Sequence, residues 1–184
     1  MRMLLQCAMC LMLLGCAASS AIAPREYLDE RTGATITAVA QPWVFARGEG
    51  PRRQDFAHLH ALDVNRMGSH RQYLAILKFW PAPEHDAVRH LAPELEIALD
   101  GEVLRFIAAP EDLRALGIAD PIDRRMPKGS QTWLYPIDRE GLERIAKSER
   151  VSLSLIAQQI RVDYDVWQDG RAQFSEFSSV AAGR

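Results

Sequence analysis

Two histidines spaced two residues apart, in Phe56-Ala57-His58-Leu59-His60, are the side chains whose types and spacing come nearest to a metal site. Residues i and i+2 of a strand share a face, and two imidazoles on one face supply two of the donors a zinc-type ion takes. A third donor is missing. His70 is the candidate, but residues 56–65 and 71–80 read as a hairpin about Asn65-Arg66-Met67-Gly68-Ser69. That hairpin puts His70 beside the turn and His60 about five residues up the partner strand, which at ~3.3 Å per residue is beyond coordination reach. Asp63 points to the opposite face. The pair His58 and His60 therefore reads as a polar strand face, and a metal-dependent hydrolase built on it ranks last among the functions considered.

The other chemistry-bearing residues resolve in the same way. His85 and His90, five residues apart around Asp86, do not align on a helix and read as surface loop or a short helix. Ser152 and Ser154 lack the Gly-x-Ser-x-Gly context that strains and exposes a nucleophile. Asp163 and Asp165 share a face, as the solvent side of a half-buried strand would. Gly48-Glu49-Gly50 is too short for a phosphate loop. Pro51-Arg52-Arg53 and Asp123-Arg124-Arg125 read as solvated turns. The four tryptophans, Trp43, Trp80, Trp133 and Trp167, belong to a core or its rim, and would mark a binding surface only if they converged in the open. No catalytic residue, resident metal or cofactor is expected.

All three cysteines, Cys7, Cys10 and Cys16, fall in the first sixteen residues, which excludes a disulfide framework in the rest of the chain. Cys7-x-x-Cys10 has redox or metal spacing but sits in an apolar run. Arg2 followed by apolar residues 3–14 has the form of an export signal, and is shorter than the ~20 residues a spanning helix needs. Two cleavage points compete. Ala21-Ile22-Ala23 suits ordinary signal peptidase but would leave Pro24 first, a poor fit to an extended substrate. Leu13-Leu14-Gly15-Cys16 resembles a bacterial lipobox, which implies a diacylglyceryl group on Cys16 and cleavage before it. The second is preferred. It implies a leader at 1–15, a lipid-anchored tether at 16–26 and a single domain at 27–184. In that family Ala17 after the cysteine implies the inner leaflet of an outer membrane, facing the periplasm. Cleavage at Ala23 would instead release a soluble periplasmic or secreted protein. Removing Arg2 with the leader leaves 21 basic against 24 acidic residues, a net charge of −3, which argues against nucleic acid as a partner.

The domain reads as strands. Residues 35–39 alternate with β-branched side chains, and Pro42 ahead of Trp43-Val44-Phe45 suggests a short edge strand. In residues 71–80, Tyr73, Ala75, Leu77 and Phe79 face one way and Leu74, Ile76 and Trp80 the other, the mark of a strand covered on both faces. Asp100-Gly101 predicts a type I′ hairpin that sets Leu99, Ile97 and Leu95 opposite Glu102, Leu104 and Phe106. Residues 110–116 suggest a helical turn or two, and 119–130 a loop. Residues 132–137 return to strand. Asp138 is placed to cap a helix to Lys147 with Leu142, Ile145 and Ala146 inward. Residues 151–157 and 160–167 are strands. Residues 171–177 are expected to complete a last hairpin through a three-residue turn, Gln168-Asp169-Gly170, because that register matches apolar with apolar. The expected class is all-β with one short helix, an antiparallel β-sandwich, or alternatively a small barrel with a capping helix.

The block Glu26-Tyr27-Leu28-Asp29, Thr32-Gly33-Ala34-Thr35-Ile36-Thr37 and Pro42-Trp43-Val44-Phe45-Ala46-Arg47 looks like the start of a group of uncharacterised proteobacterial envelope lipoproteins. The resemblance implies an address and no activity. The expected function is a non-enzymatic module, held to the membrane by its lipid and docking an envelope protein partner. The alternative is a carrier of a small apolar ligand or lipid in a β cavity.

Overall fold

The computed structural model describes residues 22–48, 55–79 and 92–183. The expectations at Cys7, Cys10, Cys16, Arg52, Arg53, Trp80, His85 and His90 lie outside them. The described chain forms ten strands and two helices: β1 Arg25–Asp29, β2 Ala34–Ala38, β3 Trp43–Arg47, β4 Asp55–Arg66, β5 Ser69–Lys78, β6 Glu94–Leu99, β7 Glu102–Phe106, β8 Gln131–Pro136, α1 Arg139–Lys147, β9 Val151–Ala157, β10 Ile160–Gln168 and α2 Arg171–Ala182. The fold is mostly β, with a multi-strand antiparallel sheet and sandwich-like strand pairing.

Strand β4 organises the sheet. One edge pairs along its length with β5, which pairs in turn with β8. The other edge takes β3 along residues 55–59 and β2 along 62–65. From Ala38↔Leu62 to Trp43↔Leu59 the β2–β3 side advances two residues more than β4, so the two strands are one bulged strand broken at Ala40-Gln41-Pro42. Such an insertion bends a sheet. Beyond the break the sheet divides, with β1 on β2 and the series β10, β9, β6, β7 on β3.

The hairpins follow turn chemistry. Asp100 and Gly101 both have positive φ, and the pairs Leu99↔Glu102, Ile97↔Leu104 and Leu95↔Phe106 form as the motif predicts. Met67 and Gly68 make the β4–β5 turn, also at positive φ. Asp138 accepts a hydrogen bond from the Gly141 amide and caps α1, which buries Leu142, Ile145 and Ala146.

Two expectations are corrected. Residues 171–177 lie in helix α2, not in a strand, so the described residues hold two helices. Phe174, Phe177, Ser178 and Ala181 follow the i, i+3, i+4, i+7 spacing of a helix face, and this period prevails over the hairpin register. Gly170 lets α2 start against β3: a Cβ there would lie 2.7 Å from Trp43 Cα. Strand β3 is not an edge, because it runs between β4 and β10. Residues 110–116 form no regular helix but do close one helical turn, with Leu116 N–H on the Asp112 carbonyl at 3.2 Å, Ala115 held on the Asp112 carboxylate and Gly117 ending it at positive φ.

Two cores flank the β4–β5 pair. On one face Leu59, Ala61, Leu74 and Ile76 pack with Trp43, Phe45, Tyr135 and the inner sides of α1 and α2. On the other, Ile36, Leu62, Val64, Tyr73, Ala75 and Leu77 are covered by Leu116, Ile118 and Ile122. These three come from the segment 107–130, a strap between β7 and β8. The strap is tied to the β1–β2 hairpin by Ala119 N–H on Asp29 Oδ2 (2.7 Å), Thr32 Oγ1–H on the Gly117 carbonyl (2.7 Å) and Arg25 Nη2–H on the Ile122 carbonyl (2.9 Å). Among the described residues no helix is long and apolar enough to cross a membrane.

Candidate functional site

Alternation along β4 turns His58 and His60 to the strap side of the sheet, with Leu62 and Val64, while Ala57, Leu59, Ala61 and Asp63 face the other core. His58 sits between Val44 of β3 and Leu77 of β5 and is partly exposed. His60 lies opposite Ala75, beside the β2–β3 break, and is wholly buried. The strap brings Asp123 over them, 4 % exposed, with Oδ2 3.8 Å from His60 Nε2. One ligand atom from each of the three residues lies within 4.8 Å of the others.

Both ring nitrogens of His60 and Nδ1 of His58 are buried without a hydrogen-bond partner. Each such group costs roughly 1–3 kcal/mol relative to a satisfied one. Burial holds the His60 pKa down to about 3 and depresses His58 as well, so both rings are neutral near pH 7 and carry a lone pair. Burial also works to raise the Asp123 carboxyl, but Arg125 overrides it. Its guanidinium donates from Nε to Oδ1 and from Nη2 to Oδ2, both at 2.9 Å, and its amide donates to Oδ1, which holds the carboxyl at about 2. Two neutral imidazoles and one ionised carboxylate thus converge beneath the strap. Asp123 also lines an open groove of about 770 Å³ with Leu113, Ile118, Lys128 and Thr132.

The expected solvated turn at Asp123-Arg124-Arg125 is therefore half right. Arg124 and Arg125 are exposed, but Asp123 is buried by Ile122, which anchors the strap in the second core. His70 stays out of the site, as its distance along the hairpin requires: it pairs with Asn65, and its Nδ1 bonds Asp63 Oδ2 at 2.8 Å.

Ser154 and Asp163 do meet. Ser154 Oγ–H donates to Asp163 Oδ1 at 2.6 Å, and Arg161 bridges both residues to Glu96, which also binds Arg105. No imidazole belongs to this cluster, and Arg161 occupies the carboxylate that would serve as base. It is a cross-strand ion network over β7, β6, β9 and β10. Trp43 and Trp133 are buried, while Trp167 is half exposed and edge-on to Phe56 at 6.1 Å, so these three do not form one aromatic surface.

Sequence reasoning missed a second polar cluster. Lys78 is fully buried at the end of β5, ion-paired with Asp55 and donating to Tyr164 Oη at 2.6 Å, while Tyr164 donates to Asp55 Oδ2 at 3.1 Å. Burial lowers the Lys78 pKa and the nearby Asp55 carboxylate opposes the shift. The one available signal was parity: Lys78 follows Leu74 and Ile76 on the core side of β5.

Comparison with protein-family models, with curated proteins and with solved structures finds no match for the chain.

Proposed function

We propose that this chain is an exported envelope protein, lipid-anchored through Cys16, whose β-rich domain works by binding and not by catalysis. The closure of its polar clusters favours binding. His60, Lys78 and Tyr164 are at most 1 % exposed, and both Asp123 oxygens are engaged by Arg125. A general base or a nucleophile must reach a substrate, but His60, Lys78 and Tyr164 are turned into the protein and Asp123, at the edge of the strap groove, is held by Arg125. The Leu13-Leu14-Gly15-Cys16 segment supports the anchor, and the docking partner in this reading is another envelope protein.

The alternative, a carrier of an apolar ligand, needs room between sheet and helices. Trp43, Phe45, Tyr135, Phe174 and Phe177, each at most 1 % exposed, fill that space. For the architecture, the hydrogen bond from Ala109 N–H to the Leu134 carbonyl at 2.7 Å brings the chain after β7 onto β8. This favours a sheet curled towards a capped barrel over two separate layers. Fractionation of a bacterial host expressing the full chain tests the function. Wild type in the membrane fraction and Cys16→Ser in the soluble fraction, with no change in fold, is the expected result. Equal partition of the two proteins contradicts it.

A further inference from the structure

We propose that His58, His60 and Asp123 bind one divalent transition-metal ion of the zinc type, and that this ion pins the strap to the central sheet. The inference gives the binding reading a ligand, and stands independently of the lipid anchor.

The donor set comes first. Two imidazole nitrogens and one carboxylate oxygen suit zinc and its neighbours, whereas magnesium and calcium take oxygen alone. The spacing agrees. Zinc bonds of ~2.0–2.2 Å in a tetrahedron set donor atoms about 3.3–3.6 Å apart. The three donor atoms already lie within 4.8 Å of one another, and His60 Nε2 is 3.8 Å from Asp123 Oδ2. Small adjustments of the strap and of the His58 and His60 side-chain torsions, of about an ångström, would complete three bonds and leave a fourth position for water.

The orphaned nitrogens point the same way. His60 is wholly buried on a strand fixed by neighbours on both sides, yet neither ring nitrogen has a partner, and Nδ1 of the adjacent His58 has none either. Buried polar groups are normally satisfied, so a ring left bare beside a second imidazole and a carboxylate marks a place for something that takes lone pairs. Arg125 does not block the site. Each carboxylate oxygen accepts more than one bond, and hydrogen bonds to a ligating carboxylate from outside orient it. Arg125 is 64 % exposed, so solvent screens its charge from the ion. The groove on which Asp123 opens supplies a path from solvent.

The test uses the full-length protein, purified in detergent without a histidine tag, stripped with chelator and titrated with Zn²⁺ and with Co²⁺. The expected result is one equivalent bound per chain, tetrahedral visible bands with Co²⁺, and slower proteolysis of the strap in the metal-bound form. His58→Ala, at a partly exposed position and with the fold kept by near-UV circular dichroism, weakens binding by about 100-fold. His70→Ala and the double variant His85→Ala/His90→Ala bind as wild type. No stoichiometric ion on the wild type overturns the proposal, as does binding undiminished in both His58→Ala and Asp123→Asn. Cys16→Ser retains the metal, so failure of the anchor and failure of the metal site are read separately.

Discussion

His60 Nε2 stands 3.8 Å from Asp123 Oδ2, beyond a hydrogen bond. The two residues are more than sixty positions apart in the chain and belong to a central strand and a surface strap. Asp29 is one of the groups that tie the strap down, accepting the Ala119 amide from the strap and the Arg31 amide from its own turn.

Asp29→Ala should therefore loosen the strap and not the sheet. Limited proteolysis is expected to cut within 107–130 at least several-fold faster than in wild type, while β-sheet circular dichroism is unchanged. The same contact is acid-sensitive. The hydrogen bond from Ala119, and then that from Arg31, lower the Asp29 pKa below its unfolded value. Its stabilisation is thus present above pH ~4 and is lost as pH falls through the lowered folded value. Strap cleavage followed against falling pH checks this, with Asp29→Ala insensitive at that site.

Lys78 and Asp55 make an ion pair that is buried on one side only, since Asp55 is 26 % exposed. Asp55→Ala is expected to cost about 2–3 kcal/mol, somewhat less than the ~3–5 kcal/mol for breaking a fully buried pair, because water reaches the gap. Lys78→Met, which removes the buried charge and keeps the volume, should cost less. Urea unfolding of the two variants gives the order.

Tyr135 donates to the Pro93 carbonyl at 3.0 Å from a fully buried position, and burial pushes its pKa well above the ordinary tyrosine value. Tyr164 shifts the same way, through burial and then the Asp55 charge. Above pH ~10 the unfolded chain releases these protons and the folded chain keeps them, so stability falls by about 1.4 kcal/mol per pH unit for each tyrosine. Lys78, whose folded pKa is depressed, acts in the opposite sense: stability rises with pH between its folded value and ~10.5. Two tyrosines outweigh one lysine past pH ~10.5, where the lysine contribution is complete. Thermal melts should fall steeply there, and Tyr135→Phe should show a shallower slope.

Gly170→Ala should destabilise through a clash, since the new Cβ would meet Trp43 backbone at 2.7 Å. Neither the start of α2 nor β3 can yield without unpairing β3 from β4 or β10. A loss of about 2–3 kcal/mol in urea unfolding is expected, against little change for Gly183→Ala, where φ is −85° and the nearest atom to a new Cβ is the Val180 carbonyl oxygen at 3.7 Å.

What the sequence made legible was local. The period of two in β4 and β5, the Asp100-Gly101 turn and the Asp138 cap each depend on neighbours within a few residues, and the structure has them all. The same alternation kept Asp63 away from His58 and His60, and distance along the hairpin kept His70 away. The failures share a cause. Residues 171–177 carry apolar positions that fit either period, and the helical face shows only when Ser178 and Ala181, beyond the stretch, are counted with Phe174 and Phe177. Pro42 suggested an edge, but β10 covers β3 from over a hundred residues downstream. Asp123 sits in a loop of turn-forming and charged residues, so nothing around it separates a buried carboxylate from a solvated one. Ile122 beside it, with Leu116 and Ile118 further back, carries the strap into the core.

The anchor at Cys16 is the central claim, and mass spectrometry of the amino-terminal peptide from membrane-extracted protein tests it most directly. The account predicts a first residue Cys16 bearing a diacylglyceryl thioether and no peptide from residues 1–15. A mature chain beginning at an unmodified Pro24 would contradict it.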